Sequence, residues 1–172
     1  MNFRVGDMVV HCTYGIGKVI DIEQRTMYGP AMMYYAVQIG DLTIWVPEDE
    51  QIETRLRPPT PGGEFPRLLK ILAGPGDTLP VDRHERRLLL INWLKDGRAE
   101  SLCRVIRGLA NYRQVKSLND YDQIVLRRTQ HALIGEWGYS LSVTPAQAEH
   151  ELNHLLSPKA TRAAPSPRFR RR

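Results

Sequence analysis

The sequence has few of the residues and patterns that indicate secretion, membrane insertion or disulfide bonding. Only two of its 172 residues are cysteines, Cys12 and Cys103, and they lie too far apart to suggest a disulfide framework or a cysteine metal site. No run approaches the roughly 20 apolar residues that a membrane-spanning helix needs. No charged-then-apolar leader precedes a small-residue cleavage site. We therefore expect a cytoplasmic protein in a reducing compartment.

Catalytic and cofactor-binding motifs are missing as well. Gly15-Ile16-Gly17 lacks the third glycine and the following helix of a phosphate-binding loop. His150 and His154 have helical i,i+4 spacing, but no further ligand stands at a recognisable distance, so solvated histidines are the simpler interpretation. We predict no catalytic residue, no metal and no cofactor, and hence a binding protein rather than an enzyme.

Positive charge is concentrated towards the end of the chain, which has a net charge of +5. Residues 1–57 contain 5 Lys and Arg against 8 Asp and Glu, and residues 58–156 contain 13 against 11. Residues 157–172 contain six basic residues and no acidic residue. This asymmetry indicates a polyanion as partner of the second half.

The first 57 residues have the pattern of short β-strands separated by turns. The predicted strands are 5–11, 18–23, 33–39, 42–46 and, as a short fifth, 51–53. Gly40-Asp41 is a tight reverse-turn signal between the third and fourth. Five short strands at this spacing predict a small barrel or a strongly bent sheet.

A proline- and glycine-rich segment at 58–63 then ends the β pattern, because proline lacks the backbone donor that a helix or a sheet uses. Beyond it the spacing of apolar residues is helical. Helices are predicted at 65–73, 82–95, 98–113, 117–137 and 144–156, with starts at Asp82, at Ser117 with Asp120, and at Thr144 with Gln147.

The chain is therefore predicted as α+β in four parts. A five-stranded module spans 1–57, a linker spans 58–63, a helical bundle spans 64–156, and a basic tail spans 157–172. The tail is rich in proline, alanine and arginine, and we expect it to be disordered.

Three arginines cluster at the start of one predicted helix, namely Arg83, Arg86 and Arg87. For each one alone, a solvated helix face is the simpler interpretation. The binding interpretation is favoured by the basic tail and by the absence of a basic excess in the β module. Because the planar guanidinium donates two hydrogen bonds at once, arginine suits phosphate. We therefore predict that these three bind a phosphate-bearing polyanion.

Several segments resemble the CarD/CdnL family, in the order in which that family has them. Phe3–His11, Tyr14–Gly17 and Ile22-Glu23 are similar to its opening, which is shared with the RNA-polymerase-interacting module of the transcription-repair coupling factor. The matching segments further along are Tyr34–Val37, Leu42–Pro47, Leu56-Arg57, Gly97, Val105–Leu109, Ser117–Leu126 and Leu133–Glu136.

The resemblance implies a Tudor-like β module that binds the β subunit of bacterial RNA polymerase. It also implies a helical domain that contacts promoter DNA, with Arg83, Arg86 and Arg87 as the DNA contacts, and that stabilises the open complex in transcription initiation. Arg25 matches a polymerase-contacting arginine, Trp45 stands where close relatives carry another, and Pro47 flanks the same edge. Arg83 stands where the family has a tryptophan that wedges into the minor groove. The alternative is a polymerase-binding adaptor whose helical domain binds protein instead of DNA.

Overall fold

The computed structural model describes residues 2–158, so the predicted tail lies almost wholly outside the described residues. A five-stranded antiparallel sheet is followed by helices, which confirms the predicted α+β architecture. The strands are β1 (Met8–His11), β2 (Gly15–Arg25), β3 (Met32–Ile39), β4 (Leu42–Pro47) and β5 (Leu56–Arg57). The helices are α1 (Ile52–Arg55), α2 (Phe65–Ala73), α3 (Arg83–Leu94), α4 (Ala99–Val115), α5 (Asp120–Leu141) and α6 (Pro145–Leu156).

The sheet has the strand order β4-β3-β2-β1-β5 and curls into an open half-barrel with β4 and β5 at its edges. A bulge at Ile20 interrupts the pairing of β2 with β3, between Val19 and Asp21. The extra residue lets Val19 and Ile22 both face the core, although three positions separate them. Its inner face packs Phe3, Val9, Val19, Tyr35, Val37, Val46, Ile52 and Leu56.

The predicted strand at 51–53 is wrong, because a single helical turn, α1, occupies this place and β5 follows it. Asp49 stabilises the turn from its side chain, which accepts a hydrogen bond from the Gln51 amide at 2.9 Å and binds Arg55 Nη1 at 2.7 Å. Ile52 then points into the sheet core. These local bonds of the Asp49 carboxylate therefore outweigh the strand propensity of these residues.

The helical half has a core of its own, in which α4 is central and packs against α2, α3 and α5. Asp82 caps α3 as predicted, and Thr144 and Gln147 form the predicted capping box of α6. The predicted start of α5 is corrected, because its cap is Asn119, whose side chain accepts the Asp122 amide at 2.8 Å. No helix within residues 2–158 is long and apolar enough to cross a membrane.

Candidate functional site

One end of the sheet brings together the three predicted polymerase contacts. Arg25 is the last residue of β2, while Trp45 and Pro47 lie in the edge strand β4. Pro47 is opposite Tyr34 of β3, which is opposite Glu23, two residues before Arg25. Because alternate residues of a strand share a face, all three side chains lie on the outer face of the sheet.

Arg25 is held in a fixed position on this face. Its Cζ lies 3.4 Å from the centroid of the Trp45 ring, and its Nε donates to Glu23 Oε2 at 3.0 Å. These contacts use Nε and the flat face of the guanidinium, and no residue in the described part of the chain accepts from Nη1 or Nη2. The two terminal donors are thus arranged as a fork that can bind one carboxylate.

The backbone of β4 provides further binding groups beside Arg25. The Glu48 amide donates to the Met33 carbonyl at 2.8 Å. This bond determines which alternate residues of β4 form hydrogen bonds to β3. The even-numbered residues of β4 therefore bond to β3, and Thr43 and Trp45 direct their N–H and C=O groups to the open edge. We call Arg25, Thr43, Trp45 and Pro47 the β4 edge surface, which can accept an added strand.

A second surface lies where α3 and α5 begin. Arg83, His84 and Arg87 of α3 face Asn119, Asp120 and Tyr121 across a shallow groove, which we call the α3–α5 groove. Both predicted arginines in it, Arg83 and Arg87, are exposed, and Arg87 Cζ lies 4.6 Å from the Tyr121 ring centroid. Two helices begin here, and the side chains of Asp82 and Asn119 already cap their first turns, so the exposed arginines supply the positive charge of the groove.

Arg86 lies elsewhere, although it stands between these two arginines in the sequence. The residue is only 2% exposed, and its Nε and Nη2 bind Asp122 Oδ2 at 2.9 and 2.8 Å. Its Nη1 donates to the carbonyls of Pro80 and Val81. Since every nitrogen of this guanidinium is bonded within the protein, Arg86 joins α3 to α5 and is withdrawn from the candidate DNA contacts.

The helical period of α3 carries the signal that separates Arg86 from its neighbours. Leu89, Leu90 and Trp93 face the core, and Arg86 lies three, four and seven positions before them, at the centre of this inward stripe. Arg83 and Arg87 are displaced from that centre by about 60° and about 100°. The sequence reasoning also missed Arg128, an exposed residue of α5. Arg128 lines a cleft that continues from Tyr121 towards the turn after β1.

The described part of the chain groups no three His, Cys, Asp or Glu side chains in a way that could hold a metal ion.

Residues 3–58 match the family model of the CarD-like/TRCF RID domain. This match confirms the resemblance for the β module, and the family is a protein-interaction domain that implies an interaction with RNA polymerase. The matched residues contain the whole β4 edge surface and end before the α3–α5 groove.

Proposed function

We propose that the protein is a CarD-like transcription regulator that binds the β subunit of bacterial RNA polymerase and contacts promoter DNA to stabilise the open complex during initiation. The observation that carries the proposal is a coincidence of two findings. The family match at residues 3–58 covers an open strand edge, and beside that edge Arg25 lies flat on Trp45 with its terminal nitrogens available.

The polymerase partner is proposed as an extended segment that adds a strand to β4. Main-chain hydrogen bonds to Thr43 and Trp45 would supply affinity, and Pro47, which lacks an N–H, would end the added ladder. The guanidinium of Arg25 selects a segment with an Asp or Glu side chain near Trp45, because a planar fork binds carboxylate bidentately. Trp45 serves as the apolar anchor of this interface.

The DNA side of the proposal rests on Arg83 and Arg87, with Arg128 further along α5. Exposed guanidinium groups attract phosphate, and each neutralised phosphate releases condensed counterions. Docking on the polymerase raises the local concentration of these side chains at the promoter. The open complex gains stability when they bind melted DNA more tightly than closed DNA.

The polymerase interaction is tested by reversing one charge in the full-length protein. Arg25→Glu should lower the affinity for the β subunit by about tenfold or more, because it places like charge against a carboxylate partner. Lys18→Glu is the matched control, since it reverses an exposed charge on the same strand, and it should change affinity by less than about twofold. Binding is measured by surface plasmon resonance, with circular dichroism to check folding. Equal effects of the two variants would contradict the proposal.

The DNA contact is tested by the lifetime of the open complex. Arg83→Ala should shorten this lifetime at low salt, with a difference that shrinks as salt rises, because exposed charges are screened. Arg83→Trp should lengthen it and make it less sensitive to salt, because apolar wedging between bases is not screened. If both variants bind polymerase normally and leave the lifetime unchanged, the α3–α5 groove has no DNA role.

A protein adaptor is the second candidate function, and exposed apolar residues favour it. Leu88 and Ile91 of α3 are 53% and 41% exposed, and Ile124 of α5 is 46% exposed. Such side chains suit a protein partner better than a phosphate backbone. Binding of a promoter fragment with a steep salt dependence supports the DNA function, and salt-independent binding of another protein in its place supports the adaptor.

A further inference from the structure

The two halves of the molecule are joined by an ion pair between residues 79 positions apart. Arg57, the last residue of β5, donates from Nη1 to Glu136 Oε1 at 2.7 Å and from Nη2 to Glu136 Oε2 at 2.8 Å. Its Nε donates to the Gly97 carbonyl, which follows α3, at 3.0 Å. One side chain of the sheet therefore binds two separate parts of the helical half.

The segment between the halves is bound at the same place. The Thr60 amide donates to Glu136 Oε1 at 2.7 Å, so the carboxylate accepts hydrogen bonds from both the sheet and the proline-rich segment. Glu136 is 0% exposed. Burial alone raises the pKa of a carboxyl group, but the hydrogen bonds and charge of Arg57, with the Thr60 contact, outweigh it and hold the pKa of Glu136 below its ordinary value.

The backbones of the two halves also approach closely around this pair. Gly97 has φ of +61°, and a Cβ there would lie 2.9 Å from both Cα and Cβ of Cys12, in the turn after β1. A Cβ on Gly135 of α5 would lie 3.2 Å from the Ile16 side chain of β2. Glycine is thus required at position 97, and the approach at Gly135 is tight, which is typical of a packed joint and not of a free linker.

We propose that Arg57 and Glu136 form a clasp that fixes the orientation of the helical half on the sheet. Both are positioning residues for the DNA contact that the proposed function assigns to the helical half. This inference rests on the proposed function, in which the sheet docks on polymerase. A fixed joint holds the α3–α5 groove at one place relative to the β4 edge surface. Binding then avoids the cost of ordering two freely moving halves.

The clasp is tested with Glu136→Gln, which keeps the shape of the side chain and removes its charge. Arg57→Lys is the second variant, because lysine keeps Glu136 paired with a cation but loses the planar fork. Asp77→Asn is the matched control, since it removes the charge of an ion pair to Arg104 that is exposed and lies within the helical half. Circular dichroism and urea denaturation establish that each variant is folded.

Orientation is measured directly by the distance distribution between two nitroxide labels. Asp41→Cys in the β3–β4 turn and Glu149→Cys in α6 provide exposed attachment sites in a Cys12→Ser background, while Cys103 is buried. We expect a narrow distribution for the parent protein and the control, and a broad one for both clasp variants. Unchanged narrow distributions in folded clasp variants would overturn the proposal, whether or not the parent binds polymerase.

The functional consequence is measured on open complexes. Polymerase affinity should stay within about twofold, while the open-complex lifetime should fall by about fivefold or more in the clasp variants and stay unchanged in the control. A broadened distribution with an unchanged lifetime would overturn the positioning role. Failure of the parent protein to bind polymerase would instead overturn the proposed function, and the label distances would still decide whether the clasp exists.

Discussion

The β4 edge surface and the α3–α5 groove both present an arginine that lies on an aromatic ring. Arg25 lies 3.4 Å above Trp45, and Arg87 lies 4.6 Å above Tyr121. The surroundings of the two pairs differ, because Arg25 stands beside an open strand edge and Arg87 beside the starts of two helices. In the proposed function, the same arrangement of cation and ring therefore serves a peptide at one place and a polyanion at the other.

The two halves also differ in whether they bury arginine side chains. No arginine within the described residues 2–57 is buried, whereas the helical half buries Arg86 and Arg107. In α3, a buried arginine and an exposed one are immediate neighbours in sequence. Position relative to the helical stripe, and not residue type, decides whether such a side chain holds the fold or serves a surface.

The largest expected effect is on the free energy of unfolding, and it tests the difference between Arg86 and Arg87. Arg86→Ala should lower the free energy of unfolding by about 3–5 kcal/mol, because it leaves the buried Asp122 carboxylate without its partner. Arg87→Ala, the matched control, should change it by less than about 1 kcal/mol. Urea denaturation followed by helical circular dichroism measures both. Similar losses in the two variants would remove the distinction between core and surface arginine.

The aromatic rings are expected to contribute less, and unequally. Trp45→Leu should weaken polymerase binding by about 1–2 kcal/mol, because it removes both the platform of Arg25 and an apolar anchor. Tyr121→Leu should weaken binding of a promoter fragment by only about 0.5–1 kcal/mol, since its ring is further from the cation. Isothermal titration of each variant with both partners gives the comparison. An equal loss with both partners would show that the two surfaces are not specialised.

A smaller, pH-dependent effect is expected in the sheet. Burial, followed by the charge of Arg55, lowers the pKa of His11, whose neutral Nδ1 accepts the Thr13 amide at 3.1 Å. The folded pKa of His11 lies below the unfolded value of about 6.5. The stability that neutral His11 contributes is therefore complete above that pH and is lost as pH falls through the folded pKa. Urea midpoints of the parent and His11→Gln, measured from pH 8 downwards, should converge. Parallel curves would contradict this assignment.

The two cysteines should differ in reactivity without any change in stability. Burial, with the nearby charges of Glu136 and Glu100, raises the pKa of Cys103 to about 12, so its thiol is not the reactive thiolate at neutral pH. Cys12, in the turn after β1, is partly exposed. A thiol-reactive dye should therefore label Cys12 in the folded protein and Cys103 only in urea. Labelling of both in the native state would show that the helical core opens readily.

Most of the fold could be predicted from the sequence, because its signals are local. The apolar spacing from Phe65 to Leu156 and the caps Asp82 and Thr144 specify helices within a few residues. The predicted fifth strand failed because a side-chain bond between Asp49 and Arg55 forms a helical turn. The pattern of apolar and polar residues does not predict that interaction.

The candidate site was predictable where family-like residues carry it and not where long-range pairing decides. The segments around Arg25 and Trp45 pointed to one edge, and the register of the sheet places them together. The burial of Arg86 depends on Asp122, 36 residues away, and the binding of Arg57 depends on Glu136. The sequence alone does not predict such pairs, because they depend on which distant segments of the chain pack together in the fold.

The sequence distance within the clasp also sets an order of events during translation. Arg57 leaves the ribosome 79 residues ahead of Glu136, which at about 5–20 residues per second corresponds to roughly 4–16 s. The strands of the sheet are complete at Arg57, so through this interval the whole sheet sequence is present without the Glu136 carboxylate. A sheet that forms in this interval would present its β5 edge without the clasp, and such an edge is open to pairing with other strands.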